Sequence, residues 1–164
     1  MAASEQELLA RWSGSIRDAA CSPLEFYDLV EQEILESGLA GVNFSQFTRR
    51  EGGLFSPLRI YFRIRYDRLY FDLCAFVSGH SFVVSYWLHV ERFGMVDLLE
   101  EIPGVGFLIE TTLRPATYYS IDVIEHFQHE VHNAVMHVID ELSENDGAAS
   151  LPPEARQPIW EQIW

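Results

Sequence analysis

The feature that most restricts the fold of this chain is an alternation of apolar and polar residues between positions 58 and 91. The alternation is clearest where arginine and tyrosine separate apolar side chains, at Leu58, Ile60, Phe62, Ile64 and Tyr66. A period of two places successive side chains on opposite faces of a β-strand. We therefore predict a strand with one face in a hydrophobic core and a second, polar face.

A two-residue loop at positions 67–68 would fold this strand back on the next one. In that register Arg63 lies opposite Asp72, and Arg65 lies opposite Tyr70. Opposite charges and an arginine beside an aromatic ring are favourable cross-strand pairs. The segment is therefore predicted to be a hairpin that carries these pairs on its polar face.

Further strands are predicted on either side of this hairpin. A turn at 78–80 leads into a strand over 81–90, which is apolar on both faces and is therefore expected to be central or covered. A weaker alternation over 42–48 predicts a strand before the hairpin, and an apolar segment over 105–112 predicts one after it.

Two segments carry strong helix signals. Ser22 as N-cap, Pro23 at the first helical position and Glu25 at the third predict a helix that ends at Gly38. A second helix is predicted to begin near Ser120. Its apolar positions form one continuous stripe, made of Ile124, Phe127, Val131, Val135, Val138 and Leu142. Shorter helices are predicted over 5–12, where Ser4 and Glu7 could form a capping box, and over 94–102.

These elements predict an α+β fold, in which an antiparallel meander of four to five strands is packed by an N-terminal helix and a long C-terminal amphipathic helix. A chain of 164 residues with 48% hydrophobic residues is large enough for one core. We place this single domain at 1–144. Residues 145–164 are interpreted as a linker followed by a docking segment that contains tryptophan.

The docking segment ends the chain with two tryptophans. Pro158 is predicted to begin one helical turn that places Trp160 and Trp164 on a common side. Two exposed tryptophans would leave a large apolar patch in water, so the segment is expected to dock. Docking on its own domain and docking on a second subunit or another protein both remain open.

The charge of the chain restricts its partners. A net charge of -14 argues against general binding to nucleic acid or to an anionic membrane. All eleven basic residues are arginine, and six of them lie between positions 49 and 68. This cluster has two explanations, a compositional bias of the genome and a binding surface selected for arginine.

Two widely spaced cysteines, no leader and no apolar run long enough to span a bilayer predict a cytoplasmic protein without membrane insertion.

Histidine and cysteine residues suggest an alternative chemistry. The second long helix carries four of the six histidines, at His126, His129, His132 and His137. Their spacing differs from that of the zinc-binding motif, in which two histidines lie four residues apart. Three interpretations of these histidines remain open: a metal site, a pH-responsive face and a solvated polar face. Cys74, near Arg63 in the predicted hairpin, is a candidate nucleophile, and Cys21 before a helix is a weaker one.

Four short blocks of sequence carry a resemblance to known sequences. They are Gly53-Leu54-Phe55-Ser56, Phe71-Asp72-Leu73-Cys74-Ala75, Ser85-Tyr86-Trp87-Leu88, and Tyr118-Tyr119 leading through Asp122 into His132-Asn133-Ala134-Val135. Together they resemble an uncharacterised family of bacterial hypothetical proteins, and the resemblance covers most of the chain. That family has no assigned activity, so the resemblance implies no functional residue. By element order alone, the chain is similar to type III secretion chaperones.

The sequence contains no catalytic constellation or cofactor motif, so no catalytic residue, metal ligand or cofactor is assigned. We predict a non-enzymatic protein-binding, adaptor or chaperone-like module whose partner is another protein or a second copy of the chain. The predicted binding residues are Arg59, Arg63, Arg65, Tyr70, Trp87, Trp160 and Trp164. The alternative is a small metal- or thiol-dependent enzyme that uses the helix histidines or Cys74.

Overall fold

The computed structural model describes residues 5–50, 52, 56–92 and 118–161. The elements are, in chain order, β1 (Glu5–Arg17), α1 (Pro23–Ser37), β2 (Val42–Arg50), β3 (Leu58–Tyr66), β4 (Leu69–Ser78), β5 (Ser81–Arg92), α2 (Tyr118–Asn145), a 3₁₀ helix (Pro153–Arg156) and β6 (Ile159–Trp160). The described strands form one antiparallel sheet with the order β2-β3-β4-β5-β1-β6.

The predicted α+β class is confirmed, with six strands in place of four to five. The helix predicted over 94–102 and the strand predicted over 105–112 lie outside the described residues.

The predicted hairpin between β3 and β4 is confirmed in its register. Arg63 lies opposite Asp72 and Arg65 lies opposite Tyr70. Asp67 in the turn has a φ of 52°, a left-handed conformation that aspartate tolerates better than most residues. Strand β5 pairs with β4 on one side and with β1 on the other, so the predicted central position of β5 is also confirmed.

The N-terminal segment is a strand, and the helix predicted over 5–12 is wrong. Strand β1 pairs with β5 along its length, with one irregularity between Leu8 and Ala10. After this point Ala10, Trp12 and Ile16 are buried with the spacing of a strand. The good helix formers at the start of the segment give a weak local preference, which pairing with a central strand overrides.

Helix α1 begins as predicted. The Glu25 amide donates to the Ser22 hydroxyl, and the Ser22 amide donates to the Glu25 carboxylate, which completes a capping box. The helix buries Phe26, Tyr27, Val30 and Ile34. The apolar side chain of Leu24, in the first turn, is 45% exposed.

Helix α2 also packs as its apolar stripe predicts. Phe127, Val131, Val135 and Val138 on this helix are buried in the same core as α1. The Phe127 ring packs against the rings of Tyr66 and Phe71. Among the described residues, neither helix combines the length and the apolar character needed to cross a membrane.

Strands β3 and β4 separate at one end of their hairpin. Their pairing runs from Tyr66 and Leu69 to Tyr61 and Cys74, one residue pair short of Ile60 and Ala75. At this point the hydroxyl of Tyr27 accepts a hydrogen bond from the Ala75 amide at 2.9 Å and donates one to the Ile60 carbonyl at 2.7 Å. The tyrosine of α1 therefore replaces the next hydrogen bond of the β3–β4 ladder.

The C-terminal segment forms a strand at the edge of the sheet. Ile159 and Trp160 pair with Arg11 and Ala10 of β1, so the helical turn predicted from Pro158 is wrong. Two nearby contacts position the segment: Trp12 Nε1 donates to the Ala155 carbonyl at 2.7 Å, and the Glu161 amide donates to the Leu9 carbonyl at 2.9 Å. A strand satisfies the backbone groups at the edge of β1, which an isolated helical turn would leave unpaired.

Candidate functional site

The two faces of the sheet differ in what lies on them. Both helices pack on one face, where Tyr27 of α1 stacks on Phe62 and His132 of α2 meets Tyr86. The other face is called here the arginine face. Its side chains on β2 to β5 include Phe47, Arg49, Arg59, Tyr61, Arg63, Arg65, Tyr70, Asp72, Cys74, Phe76, Ser85, Trp87, His89 and Glu91.

Arg63 lies at the centre of the arginine face and is held within the molecule. Its Nε and Nη2 donate to the two oxygens of Asp72 at 2.6 and 2.7 Å. Its guanidinium also lies 4.7 Å from the ring centroid of Phe47 and 4.8 Å from that of Tyr70. The hydrogen bonds to Asp72 raise the pKa of Arg63. The side chains of Arg63 and Asp72 are only 26% and 10% exposed, so this pair is a structural element of the sheet.

Arg59 and Arg65 lie on either side of this pair and rest on aromatic rings. The guanidinium of Arg59 lies 3.9 Å from the ring centroid of Phe76, and that of Arg65 lies 5.2 Å from that of Tyr70. Arg65 Nε donates to the Asp67 carbonyl at 3.0 Å, and the residue is exposed. The stacked guanidinium of the exposed Arg65 keeps N–H groups at its edge for a further partner.

Aromatic side chains form a row across the arginine face. The ring centroids of Phe47 and Tyr61 are 5.1 Å apart, and those of Tyr61 and Trp87 are 6.3 Å apart. Tyr61 is buried, while Phe47 and Trp87 are half-buried. Large rigid side chains at intermediate exposure are typical of protein-binding surfaces.

The polar groups near β5 extend this surface. The Tyr70 hydroxyl donates to a carboxylate oxygen of Glu91, and this hydrogen bond raises the pKa of Tyr70. Next to it, His89 Nδ1 is buried and has no hydrogen-bond partner among the described residues. Burial lowers the pKa of His89. At neutral pH this ring is therefore uncharged, and its Nδ1 is buried among the side chains of the arginine face.

The structure brings most of the predicted binding residues together. Arg59, Arg63, Arg65, Tyr70 and Trp87 share the arginine face. The two C-terminal tryptophans are different. Trp160 lies opposite Ala10, which in turn lies opposite Leu88 on the helix side of the sheet. Trp160 is therefore on the helix side and not on the arginine face. Trp164 lies outside the described residues.

Sequence reasoning missed two aromatic residues of this surface, Phe47 and Phe76. Phe47 lies opposite Tyr61 through the pairing of β2 with β3, whose connection is several residues long. The sequence predicts the strand at β2 but has no signal for its register. Phe76 could have been found, since continuing the β3–β4 register by two residues places it beside Arg59.

The four histidines of α2 do not converge on one point. His126 lies 4.0 Å from Glu130, His129 contacts Asn133, and His137 Nδ1 lies 3.0 Å from a Glu33 carboxylate oxygen on α1. Each of these histidines thus has a separate local partner. Within the part of the chain that the structure describes, no three metal-binding side chains are grouped.

His132 points into the core and not to the solvated side of α2. Its Nδ1 lies 2.9 Å from the hydroxyl of Tyr86, and Gln128 donates to the same hydroxyl at 3.1 Å. The edge of the ring packs against Trp12. Burial lowers the pKa of His132 to about 4, so this ring is neutral at pH 7.

Neither cysteine has the environment of a reactive thiol. Cys74 is fully buried on the arginine face. Burial, together with the charges of Glu25 and Asp146, raises the pKa of Cys21 to about 11. A thiolate is the nucleophilic form of cysteine, and Cys21 is therefore poorly suited to attack a substrate at neutral pH.

Comparison with known proteins adds no assignment to this geometry. A scan against protein-family models, a search of curated proteins and a search of solved structures each found no match to the chain.

Proposed function

We propose that this chain is a non-enzymatic protein-binding module, of the adaptor or chaperone kind, that binds an acidic segment of another protein on its arginine face. The observation that carries the proposal is the guanidinium of Arg65, which is stacked on a ring and exposed. Arg59 rests on Phe76, and Arg65 rests on Tyr70, on either side of the Arg63–Asp72 pair.

Stacking prepares the guanidinium group of Arg65 for a carboxylate. A free arginine side chain loses about 2 kcal/mol of rotamer entropy when it is fixed by a partner. A guanidinium that already rests on a ring has lost part of this freedom before binding, and its planar fork matches a carboxylate in a bidentate contact. Arg65 is exposed and therefore available for such a contact.

The arrangement of charge supports a specific partner over a general polyanion. The whole chain carries a net charge of -14, which repels polyanions at long range. On the arginine face the described side chains of β2 to β5 include four arginines (Arg49, Arg59, Arg63 and Arg65) and two carboxylates (Asp72 and Glu91), so their local balance is positive. Binding would then depend on short-range contacts with the stacked guanidinium of Arg65 and the half-buried ring of Trp87.

A metal- or thiol-dependent enzyme is the second candidate from the sequence. The separation of the helix histidines and the burial of Cys74 favour binding over this chemistry. A nucleophile must be accessible to its substrate, and a metal site needs ligands that point to one position.

The test is a charge-reversal series on the partner that the chain captures from its own cells, with that partner purified and titrated by calorimetry. Arg65→Glu should weaken binding by at least about tenfold, the equivalent of one close charge contact. Arg65→Lys should give an intermediate affinity, since lysine keeps the charge without the planar fork.

The matched control is Arg17→Glu. Arg17 is exposed and lies opposite Ser81, at the end of the sheet away from Arg65, so its reversal should leave the affinity unchanged. Arg63 is unsuitable for this test because its replacement would leave Asp72 without its partner and destabilise the sheet. Wild-type affinity of a folded Arg65→Glu variant would contradict the proposal.

A further inference from the structure

The last described residues, 151–161, form a segment that we call the C-terminal strap. It contains the 3₁₀ helix and β6, and it lies against β1 and α2. Every residue of the strap is exposed or half-buried, and none is fully buried. Because burial of apolar surface is the main source of stability in a fold, the strap depends on polar contacts to stay in place.

Polar contacts tie the strap to the rest of the molecule. Arg156 donates to both carboxylate oxygens of Asp140 on α2, and its Nε donates to the Leu151 carbonyl at 2.8 Å. Trp12 of β1 donates to the Ala155 carbonyl, and β6 pairs with only two residues of β1. The side chains of Arg156 and Asp140 are 27% and 33% exposed, and an ion pair that water reaches contributes little to stability.

His132 lies beneath the strap in a chain of hydrogen bonds. Gln128 donates to the Tyr86 hydroxyl at 3.1 Å, and this hydroxyl lies 2.9 Å from Nδ1 of His132. Burial lowers the pKa of His132, while a hydrogen bond to the Arg156 backbone opposes this shift, as a carbonyl that accepts from the ring does. A neutral imidazole has one N–H group, so the nitrogen that faces Tyr86 accepts. Every donor in the chain therefore points toward the strap.

A proton on Nδ1 of His132 is incompatible with this chain. The nitrogen becomes a donor, and the Tyr86 hydroxyl then faces two donors, His132 and Gln128. The proton of the hydroxyl loses the acceptor that it has in the neutral state. A buried polar group that loses its partner is costly, so protonation favours a rearrangement around the ring.

The charges around His132 add to this effect. The side chains that face the ring come from each element packed on it, and they are Tyr86 of β5, Trp12 of β1, Arg156 of the strap and His129 of α2. None of these four is a carboxylate. The carboxylate of Asp140 is already bonded to Arg156. A positive His132 ring therefore meets the positive charge of the strap, which repels it.

We propose that the C-terminal strap is an acid-operated latch, in which protonation of His132 at Nδ1 detaches residues 151–161 while the sheet and both helices stay folded. Detachment lets water reach the imidazolium and solvate its charge. It also uncovers the ring of Trp12 and the part of β1 that pairs with β6. No covalent bond changes, so the strap closes again when the pH is raised.

The pH range of the latch follows from linkage. In the closed state burial lowers the pKa of His132 from 6.5 to about 4, and solvation in the open state returns it toward 6.5. The neutral ring therefore favours the closed state fully above pH 6.5, and this preference is lost as the pH falls toward 4. Relative to pH 8, the ratio of open to closed molecules rises by up to about 30-fold at pH 5 and about 160-fold at pH 4.

Nuclear magnetic resonance of a ¹⁵N-labelled protein follows the latch through one indole N–H group. The signal of Trp12, identified among the four tryptophans with Trp12→Phe, reports the hydrogen bond to Ala155. We expect this signal to move reversibly toward the position of a free indole below about pH 6. The amide signal of Ala75, which is bonded to Tyr27 in the core, should keep its position.

Three variants separate His132 from the other acid-sensitive groups. His132→Gln cannot titrate but can still accept from Tyr86, so the Trp12 signal should stay fixed between pH 8 and about pH 4.5. His126→Gln is the matched control, because His126 is exposed on the same helix beside Glu130 and should leave the titration unchanged. Asp140→Asn weakens the tie to Arg156, so the strap should open at a higher pH than in the wild type.

Three results would overturn the proposal. The first is a Trp12 signal that stays fixed down to about pH 4 in both the wild type and Asp140→Asn. The second is the same movement in a folded His132→Gln variant, which would assign the opening to another group. The third is a loss of the Ala75 signal together with the shift of Trp12, since the strap would then unfold only with the whole core.

Discussion

Replacing Tyr27 by phenylalanine isolates the role of one hydroxyl in the sheet. In the wild-type protein this hydroxyl is bonded to the Ala75 amide and to the Ile60 carbonyl, where the β3–β4 ladder stops. The Tyr27 ring is fully buried and stacks on Phe62. Phenylalanine keeps this packing, so the substitution removes only the two hydrogen bonds.

The expected loss follows from the two backbone groups that remain. A buried polar group left without a partner costs about 1–3 kcal/mol, and the Ile60 carbonyl is less buried than the Ala75 amide. We therefore expect Tyr27→Phe to lower the free energy of unfolding by about 2–4 kcal/mol. For a chain of this size, that loss corresponds to a decrease of about 5–10 °C in Tm.

Urea denaturation followed by circular dichroism measures this loss directly. Tyr66→Phe is the matched control, because its ring also stacks in the core, on Phe127, and among the described residues no hydrogen bond holds its hydroxyl. The control should change stability by less than about 0.5 kcal/mol. If Tyr27→Phe lowered the free energy of unfolding by no more than the control does, the Tyr27 hydroxyl would not replace a hydrogen bond of the β3–β4 ladder.

Two further predictions concern α2 and the C-terminus. Because burial lowers the pKa of His132 from 6.5 to about 4, the neutral ring stabilises the fold fully above pH 6.5, and this stability is lost as the pH falls toward 4. With allowance for partial exposure, the loss should be about 1–2 kcal/mol in urea titrations, and an unchanged pH dependence in His132→Gln would contradict it. Deleting residues 158–164 exposes the edge of β1 and should lower the free energy of unfolding by about 1–2 kcal/mol. Light scattering should show an unchanged oligomeric state. Unchanged stability would show that β6 contributes nothing to the fold.

Local signals explain which parts of this fold could be predicted. The two-residue turn fixed the register of β3 and β4, and the capping box fixed the start of α1. Both depend on residues that are close in sequence. The strand at β1 could not be predicted in this way, since its local sequence favours a helix and its pairing partner β5 is more than 60 residues away in sequence.

In the candidate site, too, some features could be predicted from residues close in sequence and others could not. The register of the hairpin predicted that Arg63 and Arg65 share a face with Tyr70, as the structure shows. Their different roles depend on distances that a pattern does not contain, since Arg63 is held by Asp72 while Arg65 is exposed. In the same way, the histidine pattern left a solvated polar face as one interpretation of the four histidines, whereas the ring of His132 meets the Tyr86 hydroxyl in the core.

Photo-cross-linking in living cells tests most directly whether the arginine face is the binding surface. A photoreactive amino acid at Asn43, which is exposed and lies opposite Arg65, should form an adduct with a second protein. The same amino acid at Gln32, exposed on α1 on the helix side of the sheet, is the control and should form none. We expect an adduct at position 43 that is lost when Arg65 is replaced by glutamate. An adduct at position 32 and none at position 43 would contradict it.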